Sequence, residues 1–261
     1  MVINPVITVV IPCYNDGKFI DEAVDSVLCQ TFQDFEIIII NDGSTDEFTN
    51  ELLKTYSKPK TKVFTILNQG PAVARNIAIE KAKGRYILPL DADDRIFPKY
   101  LEKAFKIIEA NSRLGIVYCE AELIGAQTEK WILAEYSLPT MLKGNCIFAS
   151  ALFKRTSWEK VGGYKKEMKI ALEDYEFWLS LIEIGEGVYR IPEVLFQYRK
   201  HACSRRNLIS HKTLKWVRAQ IIKLHIQLYW SHFRSLNFRL KIRVLVLKTG
   251  SIFFVKSESK Y

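Results

Sequence analysis

The sequence predicts an α/β fold, with a Rossmann-like, mostly parallel sheet, helices on both faces, and a helical, basic C-terminal tail. Three observations predict it. Apolar strand-like runs alternate with amphipathic helical stretches through about the first 115 residues, as β-α units do in a parallel sheet. Polar clusters at 14–16, 41–44 and 91–94 fall at the ends of three of those runs, where such sheets bind ligands. The charge is also uneven: of 38 Lys+Arg and 29 Asp+Glu, residues 199–261 hold 15 basic side chains and a single acid, Glu258. Residues 1–198 therefore carry −5 and the tail +14, within a formal net charge of +9.

Residues 6–11 form a continuous apolar, β-branched run, the pattern of a strand buried on both faces. The stretch 12–17 ends it. Ile20, Ala23, Val24, Val27 and Leu28 then recur at helical spacing, with Asp16 as the expected N-cap. Residues 35–40 read as a second strand, broken at 41–46, and a helix runs on to about Tyr56. Residues 63–67 make a third strand. Pro71 suits the first turn of the next helix and Gly84 its C-terminal stop. Residues 86–90 form a fourth strand, Pro98 opens another helix, and 115–119 form a fifth strand.

Beyond Trp131 the alternation stops. Residues 147–153 read as a strand, 156–161 as a short helix closed by Gly162 and Gly163, and 174–184 as a helix closed by Gly185. Short strands are expected at 188–191 and 194–198. The expected organisation is a domain over 1–205, with halves 1–120 and 121–205, then an extension over 206–261. In that extension Leu214, Val217, Ile221, Leu224 and Leu228 follow a helical stripe, while 238–246 alternates basic with apolar residues. The extension either packs on the domain with a solvated basic face or docks on anionic lipid.

Apolar residues make up 48% and charged residues 26%, which excludes disorder for most of the chain. The five cysteines are scattered without a C-x-x-C pair, which argues against a disulfide framework or zinc site and for reduced thiols in the cytosol. Residues 1–15 lack the cationic start and cleavage site of a signal peptide. No run reaches the ~20 apolar residues of a membrane-spanning helix.

Asp91, Asp93 and Asp94 put three carboxylates within four residues. Unpaired, they repel one another and their pKa values rise. A hard divalent cation, Mg²⁺ or Mn²⁺, completed by substrate phosphates would remove that cost. The alternative is a solvated turn in which Asp94 caps the following helix. Asp42 either forms its own Gly-containing turn or accepts a hydrogen bond from a base imide or ribose hydroxyl. Arg75 falls in a first helical turn, where the macrodipole disfavours a cation. Pairing with Asp42 or with a phosphate would explain it, the alternative being a solvated side chain. Glu173 and Asp174 open a helix, as capping acids or as a general base for a hydroxyl nucleophile.

Taken in order, these segments resemble glycosyltransferase family 2, on the GT-A fold of nucleotide-sugar-dependent transferases. The resemblance runs from about Ile7 to Arg205. It is carried by Val9-Val10-Ile11-Pro12-Cys13-Tyr14-Asn15, by Asn41-Asp42-Gly43-Ser44, by Gly70-Pro71-Ala72-Val73-Ala74-Arg75-Asn76, by Asp91-Ala92-Asp93-Asp94, by Gly162-Gly163-Tyr164, by Glu173-Asp174-Tyr175 and by Tyr198-Arg199-Lys200-His201. It implies a metal-dependent, inverting transfer of one sugar from a nucleotide-sugar, a UDP-sugar, to a hydroxyl of a saccharide or lipid-linked saccharide acceptor. The implied setting is cell-surface polysaccharide biosynthesis, in the cytoplasm at the inner face of the membrane.

By that resemblance Pro12 and Tyr14 flank the uracil and Asp42 hydrogen-bonds it. Arg75 steadies the base pocket or the diphosphate. Asp91, Ala92 and Asp93 form a D-x-D, with Asp91 on the ribose side and Asp93 on Mn²⁺ or Mg²⁺, Asp91 and His201 completing the metal set. Asp174 is the base, with Glu173 the second choice. His201, Ser204 and Arg205 form a lid over the diphosphate. Asn41 departs from the pattern, since many relatives carry a second acid there. The Q-x-x-R-W signature of processive synthases is absent, which favours single addition. A nucleotidyltransferase would show a basic Gly-rich phosphate loop near the first strand. A nucleic-acid-binding protein would show a recognition motif, and the acidic body argues against that partner.

Overall fold

The computed structural model describes residues 4–201 and 209–249. The strands are β1 (Ile7–Cys13), β2 (Phe35–Asp42), β3 (Thr61–Ile66), β4 (Tyr86–Pro89), β5 (Arg95–Ile96), β6 (Leu114–Gly125), β7 (Glu129–Trp131), β8 (Leu152–Lys154) and β9 (Gly187–Lys200). The helices are α1 (Gly17–Leu28), α2 (Glu47–Lys54), α3 (Pro71–Lys81), α4 (Tyr100–Ala110), α5 (Leu138–Lys143), α6 (Arg155–Val161), α7 (Glu173–Glu183), α8 (His211–Leu224), α9 (Ile226–Ser231) and α10 (Phe238–Thr249).

One sheet runs in the order β3-β2-β1-β4-β8-β6-β9-β5, with β7 on the side of β6. Its first four strands are parallel, as the repeated β-α pattern requires. All eight residues of β2 are buried, and β1 is buried except at the half-buried Pro12, so both strands read as unbroken β-branched runs. The second half is mixed. β8 inserts antiparallel between β4 and β6, while β6 and β9 pair in parallel.

Several expectations are corrected here. The two short strands expected at 188–191 and 194–198 are one strand, β9. It crosses a register shift opposite Cys119 and Glu120, where Pro192 removes a ladder donor. The strand expected at 147–153 is only Leu152–Lys154. Ile147 and Phe148 are core residues on irregular backbone, which an apolar run alone cannot separate from a strand. α4 starts at Tyr100 rather than at Pro98, whose carbonyl instead accepts the Thr31 N–H. Residues 238–246 are helical despite their alternation. α8 to α10 pack on the core through Val217, Ile221, Tyr229 and Val244, whereas Leu224 is exposed because α8 ends there. The expected boundary at 205/206 lies outside the described residues. No helix among the described residues is long and apolar enough to cross a membrane.

Gly84 is not a helix stop, since α3 ends at Lys81. It marks the close approach of the β4 lead-in to β1: a Cβ there would meet the Thr8 backbone nitrogen at 2.5 Å and its Oγ1 at 2.6 Å. Gly84→Ala should therefore cost about 2 kcal/mol in urea unfolding, the usual range for overpacking. An unchanged unfolding midpoint would contradict this.

Candidate active site

The polar clusters that follow β1, β2 and β4 lie at the C-terminal edge of the parallel strands, as expected. Pro12 is half-buried and Tyr14 is 43% exposed. Between them and α1, Asn15 adopts a left-handed φ of 59°. Its side-chain oxygen accepts the N–H groups of Thr45 and Asp46 at 2.8 and 3.0 Å, tying the loop after β1 to the loop after β2. Asn41 holds the second loop from within. Its oxygen accepts the Ser44 N–H at 3.0 Å and its amide donates to Asn50 at 2.9 Å. Asn at this position thus braces the loop.

Asp42 is buried, and its two oxygens accept the N–H groups of Gln69 and Gly70, each at 2.9 Å. A carboxylate has about four acceptor positions, so capacity toward a ligand remains. Those bonds set the entry to α3, which is preceded by its N-cap Gly70 at φ 88° and opens at Pro71.

The expected pairing of Arg75 with Asp42 is replaced by another. Arg75 is 2% exposed, and its guanidinium donates to Asp91 at 2.6 Å and to Glu173 at 2.8 Å. Burial opposes its charge, but the two carboxylates outweigh burial and raise its pKa. Asn76, the next residue, accepts from Trp158 Nε1 and the Tyr164 N–H, both at 2.9 Å, and donates to the Tyr164 carbonyl at 2.8 Å. Tyr164 then lies over the Arg75 guanidinium at 5.7 Å.

The acids after β4 have separate environments. Ala92 is buried between Asp91 and Asp93. Asp94 is buried and accepts the Arg199 N–H at 2.7 Å, so it neither caps α4 nor lies open to a cation. Burial and then the Asp93 and Asp91 charges raise its pKa well above the carboxylate range. Asp93 pairs with Nε2 of His201 at 2.6 Å, and burial followed by Asp91 raises its pKa. Asp16, expected as the α1 cap, makes no side-chain cap bond. Burial, then Asp93, push its carboxyl up to about 6, with His201 opposing. Asp16, expected from the sequence only as a cap, thus lies within the electrostatic reach of Asp93 and His201. Ser204 and Arg205 lie outside the described residues.

α7 presents the second pair of acids. Its N-cap, Leu172, has a left-handed φ of 65°, a strained turn for a non-glycine residue. Glu173 is taken up by Arg75. Asp174 accepts the Tyr175 N–H at 2.8 Å and the Asn145 amide at 2.9 Å. Burial, then Glu173, push its carboxyl up to about 7, with Arg75 opposing.

Whether this site suits a divalent cation turns on its donors. Asp16, Asp91 and Asp93 share one electrostatic neighbourhood with the His201 imidazole; burial first, and then the neighbouring carboxylates, raise the pKa values of Asp16 and Asp93, and a cation would relieve the second of these causes. Oxygen donors with one imidazole suit Mn²⁺ or Mg²⁺. Among the described residues no three His, Cys, Asp or Glu converge into a self-sufficient cluster, so the set fits only a cation that also takes ligands from a substrate.

Asp16 provides a direct test of this crowding. In the unfolded chain its proton leaves near 3.8, and in the fold near about 6. The folded protein therefore carries an unfavourable charge above pH 6 that is absent below about pH 4, and stability falls as pH rises through that window. Asp16→Asn should raise the melting temperature of the metal-free protein at pH 8 by about 3 °C, after allowing for solvent screening. The gain should vanish near pH 4. An equal gain at both pH values would contradict the assignment.

Comparisons with known proteins bear on the family and the fold. The family model described as glycosyl transferase family 2 matches residues 8–162. A putative teichuronic acid biosynthesis glycosyltransferase, TuaG of Bacillus subtilis, is 32% identical over 85% of this chain and 90% of its own. Hyaluronan synthase of Pasteurella multocida is 32% identical over 89% of this chain but only 23% of its own length. An uncharacterised glycosyltransferase of Rickettsia typhi is 31% identical over 78% of this chain and 67% of its own. Among solved structures, S. aureus TarS 1–349 in complex with UDP superposes with a TM-score of 0.68 at 20% identity, covering 85% of this chain and 65% of that one. The mannosyltransferase PcManGT of Pyrobaculum calidifontis, in complex with GDP-Man and Mn²⁺, gives 0.60 at 18% identity, covering 96% and 76%. These structures share the GT-A fold. A match across more than half of the sequence, joined by a relative aligned over most of both lengths, means that the chain belongs to glycosyl transferase family 2 and is a glycosyltransferase.

Proposed function

We propose that the chain moves one sugar from a UDP-sugar to a hydroxyl of a saccharide or lipid-linked saccharide acceptor, with inversion, in polysaccharide biosynthesis. One observation carries this reading: the buried Arg75 bridge holds the Asp91 loop against the start of α7, so the D-x-D and a carboxyl titrating at about 7 share one edge of the sheet. A pKa near the working pH is what a general base needs. The UDP bound by TarS and the polysaccharide products named for TuaG and hyaluronan synthase support the donor and the setting.

In this reading Pro12 and Tyr14 flank the uracil, Asp42 accepts from its imide, and Asp91 faces the ribose. Nη1 and Nη2 of Arg75 are held by Glu173 and Asp91, so in this reading its main part is to fix the loops rather than to bind the diphosphate. Asp93, with Asp91 and His201, would hold Mn²⁺ or Mg²⁺, whose charge offsets that developing on the leaving diphosphate. Asp174 takes the acceptor proton as the hydroxyl oxygen bonds to the anomeric carbon and the opposite carbon–oxygen bond to UDP breaks. Glu173 is excluded as the base by its Arg75 counter-ion.

Asp174→Asn should keep UDP binding and lose at least ~100-fold in transfer rate, and a near-wild-type rate would remove Asp174 from the role. Asp93→Asn should weaken UDP affinity in Mn²⁺ by calorimetry. Equal affinities for both proteins, with and without Mn²⁺, would sink the metal set.

The same reading extends to where the enzyme works. Residues 209–249 carry nine Lys and Arg and no acid, eight of the nine exposed. On α10, Phe238 and Ile242 are 77% and 42% exposed one turn apart, beside the exposed Arg239 and Arg243. Aliphatic and aromatic side chains among exposed cations fit an anionic bilayer surface better than a soluble polyanion. The chain should co-sediment with phosphatidylglycerol vesicles and lose this in 0.5 M salt, where the Debye length is about 4 Å, and in Phe238→Ser/Ile242→Ser. Equal binding to phosphatidylcholine vesicles, or none to either, would overturn it.

A further inference from the structure

Asn145 lies half-buried between α5 and β8, in a stretch with no recognisable motif. Its side-chain oxygen accepts the Ile147 N–H at 3.1 Å, a turn closed on its own backbone. That bond fixes which end of the amide is which. The oxygen faces a donor, so the nitrogen must face Asp174, to which it donates at 2.9 Å. The support is rigid. Cys146 and Ile147 are core residues, and the Tyr175 hydroxyl donates to the Met141 carbonyl of α5 at 2.7 Å, joining the same two segments a second time.

We propose that Asn145 is a positioning residue for sugar transfer, its amide holding the Asp174 carboxylate in one orientation and favouring the ionised form that can accept a proton. This rests on the reading of Asp174 as the base. A donor aimed at a carboxylate is stronger toward the charged form than toward the acid. Among the described residues, other groups also act on Asp174. Glu173 beside it and Asp91 beyond β4 disfavour its charge, Arg75 on α3 favours it, and the Tyr164 hydroxyl group is a neutral neighbour at neutral pH. The Tyr175 N–H serves one oxygen and Asn145 the other. Removing Asn145 should leave more of the base protonated, and therefore idle, near neutral pH.

The test separates this role from simple loop packing. In Asn145→Ser the hydroxyl can still accept the Ile147 N–H but is too short to reach Asp174, while Asn145→Ala removes both contacts. The full chain, labelled with ¹³Cγ-aspartate, is titrated by NMR, and the Asp174 signal is assigned by its loss in Asp174→Asn. The Asp174 midpoint should rise by about one pH unit in Asn145→Ser. An unmoved or lowered midpoint in a folded Asn145→Ser overturns the proposal. The base reading fails by a different result, a near-wild-type transfer rate for Asp174→Asn, which leaves the NMR titration intact.

Discussion

The buried guanidinium of Arg75 sets the terms for the rest of the site. It joins Asp91, at the end of the parallel half of the sheet, to Glu173, which lies at the start of α7 and 98 residues from Arg75 itself. Desolvating a cation is costly, and only the paired carboxylates make it tolerable here. Removing one partner of such a pair commonly costs about 3–5 kcal/mol, because a charge is left buried and uncompensated. The cation in a first helical turn, which the macrodipole disfavours, is explained by these partners. Asn76 repeats the device without charge by pinning Tyr164, which in turn covers the guanidinium. Two consecutive residues of α3 thus hold the parallel half of the sheet against the α6 and α7 side.

The remaining acids follow from the same constraint. Crowded carboxylates must be shared out, and each has a different partner: Asp91 takes Arg75, Asp93 takes His201, and Asp94 takes the backbone of Arg199. Arg199 also donates to the Asp93 carbonyl and to Glu22, so β9 closes over the D-x-D loop from the far side of the sheet. Residues 1–198 are net acidic, and the surplus of positive charge lies in residues 199–261.

Much of this was legible in the sequence, for reasons that lie in local pattern. β1 and β2 are unbroken β-branched runs, and polar clusters can only follow such strands at their ends. The order of motifs carried the family. What was hidden depends on contacts between distant segments. The insertion of β8 between β4 and β6, the continuity of β9 across Pro192, and the partners of Arg75 have no local signature. Asp16 sits where a cap should sit, and only the proximity of Asp93 and His201 gives it another role. Asn145 could not be found from spacing, because its significance lies wholly in facing a residue of another helix.

The C-terminal helices are usefully considered through α7. At its N-terminus, Glu173 and Asp174 are adjacent acids with opposite fates, one held by a cation and one by an amide. That difference leaves Glu173 a fixed counter-ion and Asp174 a carboxyl able to exchange a proton. Further along the helix, Glu176 is fully buried and Glu183 reaches the junction of α8 and α9, where His225 meets both at 3.4 and 2.7 Å. Burial alone would discharge that imidazole, but the two glutamates raise its pKa and keep the cluster paired. Tyr229 of α9 adds a hydroxyl contact to Tyr175 at 3.0 Å, one residue from Asp174. The helix that presents Asp174 is therefore clamped from two directions, by α3 at its first turn and by α8 and α9 along its length. A basic extension that only carried charge to a surface would need none of these buried contacts. Their presence makes α8 and α9 part of the frame that orients α7 and its N-terminal acids.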